Sequence, residues 1–221
     1  MMPHPLKSVR PMKNPPAEDL RPYFQTLDDL DGVIEWTRFF GNDNPVELDI
    51  GCGRGLFLVT AGLEHQDVNY LGVELEYTEG RRAAKRFKKR EMRNVRVLGG
   101  DVRMALDRHI VPGSVSAVHV YFPDPWWKRK HKRRRLFTND FADQIAVVLK
   151  PGGLLHSWTD VEDYFQVISS LMNHHPKFET MAPPSERAAG HDMDYQTSFE
   201  RKKRQAGETI YRGLWRRPSP S

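Results

Sequence analysis

Acidic residues stand directly after five apolar segments of this 221-residue chain. Each segment is short and rich in Val, Leu, Ile or aromatic residues, which predicts a buried strand. The carboxyl ends of parallel strands meet at one edge of a sheet, where ligands bind. Since carboxylates gathered at one edge repel each other, the acids indicate a ligand site rather than a contribution to stability. They are Asp49, Glu74, Asp101, Asp124 and Asp160.

The first acid precedes a glycine-rich segment that contains Gly51, Gly53 and Gly55. Glycines allow a sharp turn into a helix and a close approach of the backbone to a ligand. The spacing is not the G-x-G-x-x-G of dinucleotide sites, and an acid beside the loop would repel a pyrophosphate. Asp49 instead suits a ligand that carries an amino group or a sulfonium. Glu74 is placed to accept hydrogen bonds from ribose hydroxyls, and Asp101 from an adenine amino group.

The fourth acid, Asp124, lies between two prolines and is followed by Trp126 and Trp127. Proline fixes its own φ and favours extended geometry in the residue before it, so Phe122 and Asp124 are both predicted to be restricted. The carboxylate of Asp124 is therefore predicted to be held in place at the ligand-binding edge of the sheet. The two tryptophans can stack on nucleic-acid bases, and packing under the loop is an equal alternative for one of them.

The elements that position these residues alternate along the chain. Five strands are predicted at residues 45–51, 69–75, 95–101, 114–122 and 154–160, and a period-two pattern at 208–217 predicts a sixth. Helices are predicted at 29–40, 56–65, from about Thr78, at 138–149, 161–175 and 200–206. The alternation predicts an α/β fold with a doubly wound, mostly parallel sheet and right-handed crossovers. We expect a flexible leader at 1–30, one domain at 31–217 and a tail at 218–221.

Positive charge is concentrated in three segments. Residues 81–96 contain nine Lys or Arg, residues 128–135 seven and residues 199–217 seven, out of 34 in the chain. One such stretch is usually a solvated face, but three in one domain favour a polyanionic partner. A membrane surface is disfavoured because the basic helix offers only Phe87 and Met92 as bulky apolar residues. Nucleic acid is therefore the predicted partner.

Other sequence features exclude several classes of protein. The single cysteine, Cys52, excludes an internal disulfide and is typical of a reducing cytoplasm. No apolar run suits a signal peptide or a membrane span. The nine histidines show no metal-ligand spacing, so no metal site is predicted. No apolar helix face indicates a dimer, and a monomer is expected.

The motifs together resemble the bacterial tRNA (guanine-N7-)-methyltransferase family, whose members are class I, Rossmann-like, S-adenosylmethionine-dependent enzymes. The resemblance rests on ELDIGCGRGLFL, GVELE, GDV, FPDPWWKRKHKRRRL and TSFERKKRQAGETIYR, and covers residues 45–217 in order. It implies methyl transfer to guanine N7 of tRNA, at position 46 of the variable loop. Asp49 replaces the more usual Glu of the family, and Trp127 replaces a common proline.

The resemblance also implies roles for individual residues. The implied contacts to S-adenosylmethionine are Asp49, Gly51, Gly53, Gly55, Glu74, Asp101 and Asp124, the last also being catalytic. The implied substrate contacts are Lys128, Asp160, Thr197, Ser198, Phe199 and Glu200. The implied tRNA-binding stretch is Arg129, Lys130, His131, Lys132, Arg133, Arg134 and Arg135.

Alternatives remain open for the function and for one motif. The chain could methylate another RNA position or class, or bind RNA without catalysis, although a lapsed site has no reason to keep its acids and glycines. A small-molecule methyltransferase would not need three basic segments. Thr197 and Glu200 also form a capping-box pattern, for which substrate contact is not required. Guanine N7 carries a lone pair and no proton, so the absence of a catalytic His or Cys is expected.

Overall fold

The computed structural model describes residues 18–126, 135–186 and 197–219. Within these ranges the chain forms eight strands and seven α-helices. The strands are β1 (Phe24–Thr26), β2 (Val46–Ile50), β3 (Asn69–Glu74), β4 (Val95–Gly99), β5 (Val115–Tyr121), β6 (Leu149–Thr159), β7 (Glu179–Met181) and β8 (Tyr211–Arg216). The helices are α1 (Trp36–Phe40), α2 (Leu56–Glu64), α3 (Tyr77–Lys89), α4 (Val102–Arg108), α5 (Asn139–Val148), α6 (Glu162–Asn173) and α7 (Ser198–Gln205).

All eight strands belong to one sheet, in the order β1-β4-β3-β2-β5-β6-β8-β7. The pairs from β1 to β6 are parallel, whereas β8 runs antiparallel to both β6 and β7. The chain order reverses between β2 and β5, next to the glycine segment. Ligands of open α/β sheets bind outside the carboxyl ends of the strands at such a switch point.

Helices cover the two faces of the sheet and bury two hydrophobic clusters. Neighbouring strand residues point to opposite faces, so Tyr70 packs in the cluster under α2 and α3 while Leu71 packs in the other. Phe141 of α5 and Ile168 of α6 belong to that other cluster, together with residues of α1 and α4. We call these the α2–α3 face and the α4–α6 face.

The prediction of an α/β fold with a doubly wound, mostly parallel sheet is confirmed. All five predicted parallel strands are present, and the C-terminal segment adds β8 to the same sheet. Two predicted helix ends are also found. Thr138 is the N-cap of α5, and Gly41 ends α1 with a φ of 81°.

Three short elements were not predicted: β1, α4 and β7. The prediction of a leader that extends to residue 30 was wrong, because residues 24–26 pair with β4 and Leu20, Phe24 and Leu27 are buried. These residues lie in a sequence with no periodic pattern, and tertiary contacts with α3 and β4 order them. The domain therefore includes residues N-terminal to position 31.

Replacing Phe24 with Ala tests this boundary. Phe24 is 7% exposed and packs edge-on against Tyr77 at a ring distance of 6.3 Å. We expect Phe24→Ala to lower the free energy of unfolding in urea by about 3 kcal/mol, as for other buried aromatic residues. Val33→Ala is the control, because Val33 is 59% exposed and should change stability little. Equal effects of the two substitutions would contradict the assignment of Phe24 to the core.

Candidate active site

The glycine segment links the end of β2 to α2. Gly51 and Gly53 adopt φ of 74° and 51°, which favour glycine, and the Gly51 amide donates to the Val73 carbonyl at 2.8 Å. A Cβ atom added to either glycine would meet no heavy atom within 4 Å, so both face open space. A Cβ on Gly55 would lie 2.7 Å from the Phe87 ring. Two of the glycines therefore leave room for a ligand, and the third permits packing on α3.

Asp49 is a buried carboxyl group beside this loop. It is 3% exposed, and its side chain forms no hydrogen bond or ion pair with the part of the chain that the structure describes. Burial, with a smaller contribution from the nearby carboxylate of Glu74, raises the pKa of Asp49 to about 8. The group is thus protonated near neutral pH unless a positive charge lies beside it.

Glu74, at the end of β3, is tied to two backbone amides. Its Oε2 accepts from the Gly53 amide at 2.7 Å, and its Oε1 accepts from the Glu76 amide at 2.8 Å. The carboxylate therefore holds the glycine loop against β3. Each oxygen retains a second lone pair that can accept from a ligand hydroxyl.

Asp101 and Asp124 complete the acidic edge. Asp101 is exposed and caps α4, with its Oδ1 accepting from the Arg103 amide at 2.8 Å. Asp124 is exposed on the loop after β5. Both line, with Gly51 and Glu74, a cleft of about 370 Å³, which we call the nucleoside cleft. Its other walls are partly apolar and include Ile50, Val73, Leu75, Val102, Phe122 and Trp126.

The loop after β5 is not extended as predicted. Phe122 has a φ of 51° and Trp126 a φ of 41°, so the expectation of extended geometry at Phe122 was wrong. Tertiary contacts outweigh the preference imposed by Pro123: the Phe122 amide donates to the Trp158 carbonyl at 2.7 Å, and the Phe122 ring lies 5.5 Å from that of Phe199. A left-handed backbone conformation in residues other than glycine occurs mostly at functional sites.

A second cavity of about 390 Å³ lies beside the glycine loop, and we call it the loop cavity. It shares Gly51, Tyr121 and Phe122 with the nucleoside cleft. Its other walls include Asp49, Phe57, Thr197, Phe199 and Lys202. Neither Tyr121 nor Lys202 could be selected from the sequence, since a tyrosine that ends a strand and one lysine among many are both ordinary.

The segment TSFE begins α7, and only half of the predicted capping box forms. The Thr197 hydroxyl accepts from the Glu200 amide at 2.9 Å. The Glu200 carboxylate forms ion pairs with Arg204 and Arg212, each at 3.4 Å, and the residue is 2% exposed. Phe199, in contrast, is 53% exposed and faces the loop cavity.

Asp160 also supports α7. Its Oδ2 lies 2.9 Å from Nζ of Lys203, which pairs at the same distance with Glu208. Two of the acids predicted to contact substrate, Asp160 and Glu200, are therefore engaged with basic residues that fix α7 over the strand ends.

The basic stretch after Asp124 lies mostly outside the described residues, which exclude positions 127–134. Lys128, Arg129, Lys130, His131, Lys132, Arg133 and Arg134 belong to that range, and the side chain of Ser198 is likewise outside the description. Arg135 is half-buried: its Nε donates to the Pro125 carbonyl at 2.9 Å, and its guanidinium lies over the Tyr164 ring. It holds the base of the loop.

Three observations limit other assignments over residues 18–126, 135–186 and 197–219. The described side chains contain no group of three or more His, Cys, Asp or Glu that could hold a metal ion. None of the described helices is long and apolar enough to cross a membrane. Burial raises the pKa of the half-buried Cys52 thiol, which is unlike a reactive cysteine.

The residues present fit a nucleoside that carries a positive charge. Open space faces Gly51 and Gly53, the cleft has the volume of a small-ligand site, and hydrogen-bond acceptors remain on Glu74 and Asp101. The buried carboxyl group of Asp49 ionises near neutral pH only when a cation lies beside it.

Comparison with known proteins gives consistent matches over most of the chain. A family model described as "Putative methyltransferase" matches residues 43–213. A tRNA (guanine-N(7)-)-methyltransferase of Rhodopirellula baltica is 39% identical over 210 residues, which are 92% of this chain and 78% of the relative. An enzyme of the same name from Hydrogenovibrio crunogenus is 34% identical over 193 residues, covering 87% of this chain and 78% of that protein.

Solved structures support the fold. The 30S ribosomal A1408 methyltransferase from an uncultured bacterium superposes with a TM-score of 0.59 at 12% identity, over 83% of this chain and 92% of that chain. An S-adenosylmethionine-dependent O-methyltransferase from Thermotoga maritima gives 0.53 at 14% identity, over 86% and 68% of the two chains. At these identities the likeness concerns the fold alone.

Replacing Asp49 with Asn tests the buried acid. The folded-state pKa of about 8 lies above the ordinary value of 3.8, so the folded protein binds the extra proton and wild-type stability falls as pH rises from about 4 to 8. The Asn side chain does not titrate, so the variant lacks this pH dependence of stability. Between pH 5 and pH 8 we expect the stability of Asp49→Asn relative to wild type, measured by urea unfolding without ligand, to rise by up to about 4 kcal/mol. The exposed Asp31→Asn is the control, and a pH-independent difference for Asp49→Asn would refute the perturbed pKa.

Proposed function

The chain belongs to the tRNA (guanine-N7-)-methyltransferase family, and we propose that it methylates N7 of the guanine at position 46 in the variable loop of tRNA. Residues 43–213 match the family model, and relatives above 30% identity share most of their length with this chain. The enzyme is S-adenosylmethionine-dependent. The position within tRNA rests on the resemblance of the motifs, and the single observation that carries the site assignment is the buried, unpaired carboxyl group of Asp49 beside the glycine loop.

The nucleoside cleft is assigned to the cofactor. Glu74 offers lone pairs to ribose hydroxyls, and Asp101 offers one to the adenine amino group, against the apolar surfaces of Leu75 and Val102. Asp49 and the loop that contains Gly51 would hold the positively charged amino-acid part. Binding a cation would stabilise the Asp49 carboxylate and release the proton that burial retains.

The loop cavity is assigned to the guanine. It meets the nucleoside cleft at Tyr121 and Phe122, so a purine there would lie next to the transferred group. Phe199 offers an exposed ring for stacking, and Thr197 and Lys202 offer polar contacts at the rim. Lys128 and Ser198, for which the structure gives no side-chain position, remain proposed substrate contacts by resemblance.

Asp160 and Glu200 take a supporting role in this proposal. Both carboxylates already balance basic side chains of α7 and β8. Their pairing fixes α7, and α7 presents Thr197, Phe199 and Lys202 to the loop cavity.

The chemistry needs little from acid–base groups. S-adenosylmethionine supplies a methyl group on a sulfonium. The methyl–sulfur bond would break as the methyl–N7 bond forms, S-adenosylhomocysteine would leave as a neutral thioether, and no proton would have to be removed from guanine N7 first. As the purine becomes cationic, the Asp124 carboxylate, on the loop between cofactor and substrate, stabilises the developing charge. Most of the acceleration then comes from holding the two reactants in line and excluding water.

Basic residues that could contact tRNA phosphates lie near the cleft. The carbonyl of Arg135 accepts from Arg103 of α4 at 3.1 Å, which brings two arginines together on the α4–α6 side. On the α2–α3 face, a ridge of five residues runs from the glycine loop along α3, and we call it the basic ridge. Its members are Arg54, Arg82, Arg86, Lys89 and Arg90.

Like charges are crowded within the basic ridge. Burial lowers the pKa of Arg86, and the neighbouring guanidinium groups of Arg54 and Arg90 lower it further. Glu79 pairs with Arg54 and Arg82 and offsets part of this positive charge, and phosphate groups of tRNA would compensate what remains.

Replacing Asp124 with Asn tests the reaction, the substrate and the catalytic residue together. Purified protein is incubated with labelled S-adenosylmethionine and unmodified tRNA transcripts, and the methylated nucleoside and its position are identified. We expect N7-methylguanosine at position 46 with wild type, and a loss of about 100-fold in kcat with Asp124→Asn at similar cofactor affinity. Asp107→Asn, an exposed acid on α4, is the control. Full activity of Asp124→Asn would remove the catalytic role, and methyl on another base would overturn the substrate assignment.

Neutralising part of the basic ridge tests the docking surface. We expect the double variant Arg86→Gln/Lys89→Gln to raise KM for tRNA about tenfold at moderate salt and to leave kcat unchanged, because phosphate contacts position the substrate. Loss of two phosphate contacts should reduce the slope of log affinity against log salt by about 1.4 to 1.8. The double variant Arg38→Gln/Lys150→Gln removes the same charge from exposed sites elsewhere. An identical slope change in both variants would show that net charge alone is responsible.

A further inference from the structure

Three polar side chains on the α2–α3 face form a hydrogen-bonded chain that the reaction above does not use. Nε2 of His119 lies 2.7 Å from Oε2 of Glu47, and Nδ1 of the same ring lies 2.9 Å from the hydroxyl of Tyr121. His119 and Tyr121 are two residues apart on β5 and so point to the same face, while Glu47 comes from the adjacent β2. Three positions on two strands thus meet through one buried imidazole.

Simple donor and acceptor rules assign the protons in this chain. A carboxylate only accepts, so Nε2 of His119 carries the proton that Glu47 receives. With one proton on the ring, at Nε2, Nδ1 is bare and accepts from the Tyr121 hydroxyl. Burial raises the pKa of that hydroxyl, so it stays protonated and remains the donor. The order of donation runs from Tyr121 through His119 to Glu47.

Tyr121 stands where the cavities of the molecule meet. Its ring lines the nucleoside cleft, the loop cavity and a third cavity of about 440 Å³ behind them, which also contains Glu47, His119 and His156. The ring therefore divides the two reaction cavities from the third. It is also the last residue of β5, directly before the strained Phe122 and the loop of Asp124.

Ring packing alone does not fix the direction of the Tyr121 side chain. Phe57 packs edge-on at 5.1 Å and Trp158 packs at a tilt at 4.7 Å, and both are ring contacts that do not engage the hydroxyl group. The hydrogen bond to His119 is directional and comes from behind the ring. A second imidazole, His156, stacks on His119 at 4.9 Å, and burial lowers the pKa of His156 to about 3, so it adds no positive charge.

We propose that His119, oriented by Glu47, is a positioning residue for methyl transfer: it holds the Tyr121 ring as the wall at which the nucleoside cleft and the loop cavity meet. The inference rests on the proposed function, since the wall matters only if a donor and an acceptor occupy these two cavities. If the Tyr121 ring moves by a fraction of an ångström, the methyl donor and guanine N7 are no longer aligned. This misalignment lowers kcat more than it weakens the binding of tRNA. Affinity for tRNA comes from distant phosphate contacts.

The test compares kcat, KM for tRNA and thermal stability in a set of variants. His119→Phe keeps a planar ring and removes both nitrogens, Tyr121→Phe removes only the hydroxyl, and His119→Gln restores a donor and an acceptor. We expect kcat to fall about tenfold in His119→Phe and in Tyr121→Phe, with KM for tRNA within about twofold of wild type. The double Phe variant should be no slower than either single variant, because both break the same hydrogen bond. His119→Gln should recover most of kcat even if its melting temperature stays low.

Tyr70→Phe is the matched control, because it removes a hydroxyl from the wall of the third cavity outside the hydrogen-bonded chain. Nitrogen-15 spectra of labelled histidine should show the Nε2–H tautomer for His119 and a shift of Nδ1 in Tyr121→Phe. Three results would each overturn the proposal. They are a kcat loss in the double variant equal to the product of the two single losses, an unchanged kcat in His119→Phe, and an Nδ1–H tautomer of His119. Wild type that binds S-adenosylmethionine without methylating tRNA would sink the proposed function instead. The positioning role would then be judged on cofactor affinity, and His119→Phe with unchanged affinity would refute it.

Discussion

The carboxyl group of Asp49 is buried near the end of the central strand β2, and much of the site is arranged around this constraint. Asp49 has no partner in the described protein and stands beside Glu74, a second acid. A stable fold would avoid this pairing, because burial and like charge both oppose ionisation. The arrangement becomes favourable when a cation enters. The ligand-free protein therefore carries an electrostatic cost at the position where a sulfonium and an ammonium group would be bound.

The other acidic residues at the carboxyl ends of the strands fix the backbone of the segments beside them. Glu74 accepts from Gly53, Asp101 caps α4, and Asp160 pairs with Lys203 of α7. Each acid thus orders the segment beside it before any ligand arrives. For a reaction whose nucleophile needs no deprotonation, ordered positions are the main source of acceleration. The carboxylates that order the loops retain lone pairs for a ligand, so the binding role proposed for Glu74 and Asp101 is compatible with their structural role.

The sequence was sufficient for the architecture and for the acids at the strand ends. Buried parallel strands are continuous apolar runs, so their ends can be read within a few residues, and Glu74 and Asp101 follow directly. Short elements were missed because β1 and α4 have too few residues for a periodic pattern and depend on contacts with β4 and α5. Phe122 was predicted to be extended from its proline neighbour, but a hydrogen bond to β6 overrides that local preference. Local rules describe what a residue favours alone, and the site is where tertiary contacts overrule them.

Glu200 shows how far a motif can be interpreted before tertiary structure is known. Its spacing from Thr197 fits a capping box, and its place in the family motif implies a substrate contact. The side chain instead lies between Arg204 and Arg212, which comes from β8 and stacks on Trp158 at a distance of 4.8 Å. Arg204 lies one helical turn further along α7 and fits an ordinary i,i+4 pair, but Arg212 could not be chosen from local spacing because it is twelve residues away on another element. The Trp158 carbonyl also accepts a hydrogen bond from the Phe122 amide, and the Trp158 ring packs against the Tyr121 ring. The buried ion pairs of α7 are thereby joined to the loop of Asp124 through one tryptophan, so we expect a change at Glu200 to alter the geometry of that loop.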